Sequence, residues 1–218
     1  MWVVKLGGSL QSFPGLRNWV ELLADRGGGR IVLVPGGGQF ADAVRAAQRT
    51  AGFDDRTAHG MALFAMEQYG LMLCGMAGNL VPAQSERQMR AALGQGSVPV
   101  WMPHALVSVS ADIVPDWSFT SDSLSLWLAR RLEAEALLLV KSVALPRSGA
   151  TPEKLAQAGM IDTAFPALAR GYTGRIGWLR REEPESLRNA LVHASLDGFT
   201  WLAMEGTETA PRAAARGA

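Results

Sequence analysis

The chain has 218 residues, of which 48% are hydrophobic and 19% are charged. This composition is typical of a globular protein with a core rather than of a disordered chain. The formal net charge of +1 provides no bulk attraction for nucleic acid or for a membrane surface. A single cysteine, Cys74, excludes an intrachain disulfide framework and fits a reducing cytoplasm.

The two ends of the chain predict neither targeting nor membrane insertion. The N-terminus begins M-W-V-V-K-L-G-G-S, without a basic region followed by an apolar one, so we expect no signal peptide and a cytoplasmic location. Charged, glycine or polar residues interrupt every apolar stretch before it reaches the length of a membrane span. Residues 206–218 lack apolar periodicity and predict a flexible tail after a single domain at residues 1–205.

Short apolar runs alternate with longer segments of helical periodicity along the chain. Strands are predicted at residues 2–6, 30–34, 98–102, 136–140 and 199–203. Helices are predicted at residues 16–24, 40–48, 57–78, 84–93, 120–132, 152–158, 163–169 and 183–193. This alternation predicts an α/β protein with a mainly parallel sheet that is covered by helices on both faces.

The first strand carries a lysine and runs into a glycine pair, in the motif V-V-K-L-G-G-S at residues 3–9. Burying Lys5 is costly unless its charge meets an anion. Gly7 and Gly8 allow backbone N–H groups to approach that anion closely, and Ser9 adds a hydroxyl donor. The motif indicates a phosphate-binding loop, although it is neither a Walker A loop nor a G-x-G-x-x-G fingerprint.

The second strand runs into three glycines, Gly36, Gly37 and Gly38, and a helix follows at once. The N-terminus of a helix has free N–H donors and a partial positive charge, and it therefore binds anions. Loops at the carboxyl ends of neighbouring parallel strands face one crevice. Either loop alone is compatible with a simple tight turn, but the two loops together with Lys5 favour a phosphate site.

These motifs, with T-S-D-S at residues 120–123 and the strand L-L-L-V at 137–140, resemble the amino acid kinase family. That family includes acetylglutamate, carbamate, uridylate and isopentenyl phosphate kinases. The resemblance implies a three-layer αβα sandwich with a mainly parallel central sheet. It also implies an acceptor-binding lobe at about residues 1–135, a nucleotide-binding lobe at about 136–205, and phosphoryl transfer from ATP with Mg²⁺.

The resemblance also implies residue roles. Lys5 would stabilise the transferring phosphoryl group, and Gly7, Gly8 and Ser9 would contact the ATP phosphates. The glycines of the second loop would hold the acceptor and the transferred group. Asp122 would orient the lysines, although a residue at a helix start can also act only as a cap.

One departure from the family concerns a second catalytic lysine, which many members carry in a G-M-x-x-K segment. The corresponding residues 159–163 read G-M-I-D-T and contain no lysine. Lys141, directly after the predicted strand at 136–140, could replace it. An exposed lysine after a strand is an equally good interpretation.

Residues 116–123, D-W-S-F-T-S-D-S, and residues 58–70 are similar to the subgroup that acts on (aminomethyl)furanylmethyl phosphate in methanofuran biosynthesis. By this similarity Thr120 and Trp117 would contact the acceptor, with the aromatic ring stacked on a furan, and Asp116 would pair with the aminomethyl group. His59 would hold the acceptor phosphate, as a histidine does in isopentenyl phosphate kinases. Ordinary packing of Trp117 and a histidine without a ligand are the competing interpretations.

Two further expectations concern metals and subunits. The three histidines are far apart in sequence and have no acidic or cysteine partner at ligand spacing, so a protein-bound zinc site is not expected. Four methionines recur along the predicted helix at 57–78 and indicate packing in the core or between subunits of a homo-oligomer: Met61, Met66, Met72 and Met76.

Three functions therefore remain open from the sequence. The first is a kinase that converts a small phosphomonoester into a diphosphate. The second is a kinase that forms an acyl phosphate on an amino acid or carbamate. The third is a nucleotide-binding or storage protein that keeps the fold without turnover, which the missing second lysine would explain.

Overall fold

The structure is a computed structural model and describes residues 1–146 and 150–204. Its single sheet has the strand order β3-β4-β2-β1-β5-β6-β7. Adjacent strands are parallel, except that β7 runs antiparallel to β6. The strands are β1 (Trp2–Leu6), β2 (Ile31–Pro35), β3 (Leu80–Ala83), β4 (Val98–Trp101), β5 (Ala136–Lys141), β6 (Arg175–Arg180) and β7 (Thr200–Trp201).

Helices connect the strands. They are α1 (Leu16–Arg26), α2 (Gly38–Ala51), α3 (Asp55–Met76), α4 (Glu86–Gly94), α5 (His104–Val107), α6 (Ser121–Arg131), α7 (Pro152–Gln157), α8 (Phe165–Ala169) and α9 (Pro184–His193). None of the helices in the part of the chain that the structure describes is long and apolar enough to cross a membrane. The predicted tail at 206–218 lies outside the described residues.

Both faces of the sheet are buried. In β1, Val3 packs into one hydrophobic cluster, with α6 and α8, while Trp2 and Val4 pack into the other, with α1 and α9. Successive side chains of a strand point to opposite faces, so β1 contributes to two cores at once. The predicted three-layer αβα sandwich with a mainly parallel sheet is therefore confirmed.

Two strands and a short helix were not predicted from the sequence. β3 is a four-residue edge strand that contains Pro82, and proline argues against a strand except at a sheet edge. β6 is interrupted by Gly177 and begins and ends with an arginine, so its apolar run is too short to indicate a strand. The third missed element, α5, has only four residues.

The two glycine loops touch each other. An added Cβ on Gly36 would lie 2.4 Å from the backbone N of Gly8, and one on Gly8 would lie 2.4 Å from the backbone N of Gly38. Gly38 also has a φ of +54°, a conformation that glycine adopts without steric cost. Backbone packing therefore requires glycine at these three positions, whatever ligand the loops bind.

We predict that Gly36→Ala destabilises the protein by about 2 kcal/mol, because the new methyl group would overlap a main-chain atom that cannot move away alone. Gly75→Ala is the matched control. Gly75 lies in the last turn of α3, where an added Cβ meets nothing within 4 Å, so alanine should raise stability by up to about 1 kcal/mol. Urea unfolding of both variants measures the difference. Equal stabilities would contradict the close packing of the loops.

Candidate active site

One carboxylate joins two lysines at the carboxyl ends of two neighbouring strands. Asp122 Oδ1 lies 2.7 Å from Lys5 Nζ, and Asp122 Oδ2 lies 2.7 Å from Lys141 Nζ. All three side chains are at least 87% buried, with exposed fractions of 4% for Lys5, 8% for Asp122 and 13% for Lys141. The structure thus brings together three residues that are 117 and 19 positions apart in sequence.

Strand periodicity explains this arrangement. Lys5 follows Val3 by two residues in β1, and Lys141 follows Leu139 by two in β5, so each lysine lies on the same face as the apolar residue before it. Both Val3 and Leu139 belong to the cluster that contains α6. Asp122 is the second residue of α6. The helix that covers this face therefore presents its first turn to both lysines.

The pKa values in the cluster are shifted by burial and by the charges of neighbouring groups. Burial alone would raise the pKa of Asp122, but the charges of Lys5 and Lys141 outweigh burial and lower that pKa. Burial, followed by the charge of Lys5, lowers the pKa of Lys141 even though Asp122 opposes the shift. Asp162 is a second buried carboxylate nearby, and its charge also raises the pKa of Lys141. Within the described residues, however, Asp122 is the carboxylate that pairs directly with both lysines. Two ammonium groups that share one directly paired carboxylate are suited to bind an anion.

The side chain of Asp162 caps the start of α6, a role that was not predicted from the sequence. Its Oδ2 accepts hydrogen bonds from the backbone N–H groups of Thr120 at 3.0 Å and Ser123 at 2.8 Å, and its Oδ1 accepts one from the Thr120 hydroxyl. The interpretation of Asp122 as a cap is therefore wrong, because its carboxylate faces the lysines. The segment at 159–163, which lacks the family's lysine, instead anchors the helix that carries Asp122.

A cavity of about 320 Å³ opens beside the glycine loops, between α2, α3 and the start of α6. Seven of the residues expected from the sequence line it: Gly8, Ser9, Gly37, Gly38, His59, Trp117 and Thr120. Gly7, Gly36 and Asp116 are not among its lining residues. An added Cβ on Gly7 would lie 3.7 Å from Lys5 Nζ, so Gly7 borders the lysine cluster instead.

His59 is buried in the wall of this cavity. Its Nδ1 lies 3.2 Å from the backbone oxygen of Asp116. A carbonyl only accepts, so Nδ1 carries a proton, and burial lowers the pKa of the imidazole. Nε2 is buried and has no hydrogen-bond partner within residues 1–146 and 150–204. With the proton on Nδ1, this nitrogen is a buried acceptor that no donor among the described residues satisfies.

Asp116 does not extend into the cavity. Its Oδ1 accepts hydrogen bonds from the backbone N–H of Ser118 at 2.8 Å and from the Ser118 hydroxyl. It fixes the turn before α6 and positions its own carbonyl against His59. The expected contact between Asp116 and an acceptor amine stays a prediction that this geometry does not favour.

Asp42 and Arg45 also line the cavity. Neither of these charged residues was predicted as a site residue. Arg45 lies with its guanidinium carbon 4.3 Å from the ring centroid of Trp117, and Trp117 Nε1 donates to Gln48 Oε1 at 2.7 Å. Arg45 Nη1 is 3.1 Å from Asp42 Oδ1. Both residues lie on α2, shortly after the second glycine loop. Their closeness to that loop in the sequence was the one feature that could have identified them as site residues.

The carboxylates at the site do not form a metal cage. Among residues 1–146 and 150–204, no group of three or more His, Cys, Asp or Glu side chains is placed to hold a metal ion. Asp122 is occupied by two lysines and Asp162 by the start of α6. The expected Mg²⁺ would be held by nucleotide phosphates and water, as is usual for this ion.

The sequence matches a known protein family and a curated relative. Residues 1–144 match the amino acid kinase family. A curated relative, (5-(aminomethyl)furan-3-yl)methyl phosphate kinase from Methanocaldococcus jannaschii, is 26% identical over 145 residues. The match spans 66% of this chain and 66% of the relative, just under two thirds of its length.

Solved structures share the fold across nearly the whole chain. UMP kinase from Ureaplasma parvum has a TM-score of 0.68 and 14% identity, and the match covers 93% of this chain and 99% of that one. Isopentenyl phosphate kinase has a TM-score of 0.60 and 16% identity, and the match covers 88% and 96%. At these identities the likeness shows a common fold.

We predict that Asp122→Asn destabilises the protein by about 3 kcal/mol, because it leaves two buried ammonium groups beside a neutral side chain. The double variant Asp122→Asn/Lys141→Met removes one of the two cations and should recover part of that loss. A double-mutant cycle by urea unfolding measures the coupling. An Asp122→Asn variant as stable as the wild type would contradict the charge assignment.

The same cycle has a pH signature. Because the pKa of Asp122 is lowered on folding, its contribution to stability is present above the unfolded pKa of about 4 and is lost as the pH falls through the folded pKa. Asp122→Asn should therefore flatten the acid limb of the plot of unfolding free energy against pH. An unchanged acid limb would exclude Asp122 as a source of that dependence.

Proposed function

Because the chain belongs to the amino acid kinase family, we propose that it is an ATP-dependent kinase that phosphorylates a small phosphomonoester to give a diphosphate. The observation that carries this proposal is the pair of buried lysines on one aspartate beside two glycine loops. Phosphoryl transfer requires positioning and charge stabilisation more than a protein nucleophile. The cluster supplies positive charge at fixed positions.

In the proposed reaction, an oxygen of the acceptor phosphate attacks the γ-phosphorus of ATP as the bond to the ADP oxygen breaks. Backbone N–H groups near Gly7 and Gly8 would hold the ATP phosphates, and the start of α2 at Gly37 and Gly38 would hold the acceptor. Lys5 and Lys141 would stabilise the charge on the transferring group. Mg²⁺ on the nucleotide would neutralise further phosphate charge.

A phosphomonoester acceptor is favoured by the cavity and by the relatives. The cavity is lined by the guanidinium of Arg45 and by the first turn of α2, which suit an anionic group. The names of the relatives specify UMP, isopentenyl phosphate and an (aminomethyl)furanylmethyl phosphate. Within this class we propose an (aminomethyl)furanylmethyl phosphate, as in methanofuran-type cofactor biosynthesis, since Trp117 provides an aromatic wall for a small ring.

Self-association through α3 is part of the same proposal. Met61, Phe64 and Leu71 are exposed at helical spacing on α3, and Glu67 is the only charged residue between positions 57 and 76. A face with a single charged residue nearby can meet its own copy with little like-charge repulsion. Phe64→Lys should therefore convert a dimer into a monomer in analytical ultracentrifugation, and a wild-type monomer would exclude this interface.

The lysine assignments are tested by Lys5→Met and Lys141→Met. We expect each to lower kcat for ADP release by at least about 100-fold, because each removes a charge that stabilises the transferring group. Lys154 on α7 is the third lysine of the chain, and Lys154→Met is the matched control with expected wild-type activity. Full activity of Lys141→Met would leave that lysine as a structural partner of Asp122. Nucleotide binding without ADP release by the wild type would favour a binding protein.

A further inference from the structure

Asp42 is the one carboxylate among the residues that line the acceptor cavity in the described part of the chain. It lies on α2, four residues after Gly38, and its side chain is 73% exposed. It forms an ion pair with Arg45, which lies three residues further along the same helix. The cavity therefore has a negative group on its wall that the proposed phosphate chemistry does not use.

The ion pair with Arg45 is suited to exchange. An exposed i,i+3 pair is weak because water screens it, so a ligand cation can replace Arg45 as the partner of Asp42 at little cost. Arg45 also has a second contact, the face of Trp117 at 4.3 Å, and Trp117 is itself fixed by Gln48. The guanidinium can therefore remain in place when the carboxylate turns towards a ligand.

The position of Asp42 sets a distance from the acceptor phosphate. With the phosphate at the start of α2, a rise of about 1.5 Å per residue puts Asp42 about 6 Å along the helix axis. A single ring bearing a phosphate ester on one substituent and an amine on another spans a distance of this order. Asp116, in contrast, is held by Ser118 and does not line the cavity.

We propose that Asp42 binds a protonated primary amine on the acceptor and so selects amine-bearing phosphomonoesters. The inference rests on the proposed kinase function and identifies the residue that determines specificity within it. The ammonium pairs with the Asp42 carboxylate, while the phosphate stays at the glycine loop. Asp42 is a specificity-determining residue and takes no part in phosphoryl transfer.

The test compares two acceptors that differ in one group, a furanylmethyl phosphate bearing either an aminomethyl or a hydroxymethyl substituent. The wild type should favour the amine by about tenfold in kcat/KM, the strength of a charge-assisted hydrogen bond that is partly exposed to water. Asp42→Asn should abolish that preference by raising KM for the amine alone. Because Asp42 is exposed, the variant should fold normally.

Two variants serve as matched controls. Asp116→Asn tests the competing carboxylate and should keep the preference. Glu21→Gln removes an exposed helix ion pair with Arg17, on α1 and outside the cavity, and should also keep it. If the wild type phosphorylates both acceptors equally, or if Asp42→Asn keeps the preference, the inference is wrong while the kinase assignment stands. If the wild type phosphorylates neither, the proposed function is wrong and the inference falls with it.

Discussion

The buried carboxylate of Asp122 is the interaction on which the site depends. Two lysines converge on it, and each lies 2.7 Å from a different carboxylate oxygen. Two buried ammonium groups that share one directly paired carboxylate are suited to bind a phosphate. The fold thus holds two ammonium groups at fixed positions, as a preorganised anion site requires.

The sheet order places the remaining parts around this cluster. β1 lies between β2 and β5, so the loop after β1 touches the loop after β2 on one side and contacts Val140 near the end of β5 on the other. Ligands of open α/β sheets bind outside the carboxyl ends of such strands. The glycine contacts between the loops then bring the start of α2 beside the lysines. The acceptor cavity and the charge cluster are therefore adjacent by topology.

The residue types at the ends of β1 and β5 made the lysine cluster largely predictable from the sequence. A lysine before two glycines in an apolar strand is unusual enough to indicate an anion site, and the position of Lys141 at the end of β5 follows from the strand pattern. The same rules could not find Asp162, because a cap that comes from a segment 39 residues away leaves no local signature. Asp42 and Arg45 were missed because helical spacing does not tell which face of α2 borders a cavity.

The central claim is that this charge cluster transfers a phosphoryl group to a phosphate acceptor, and ³¹P NMR of the reaction tests it most directly. With ATP, Mg²⁺ and (aminomethyl)furanylmethyl phosphate, we expect a new pair of coupled doublets from a P–O–P linkage on the acceptor, growing at the same rate as ADP. Formation of ADP with inorganic phosphate alone, or an unchanged acceptor resonance after ATP is consumed, would contradict the claim.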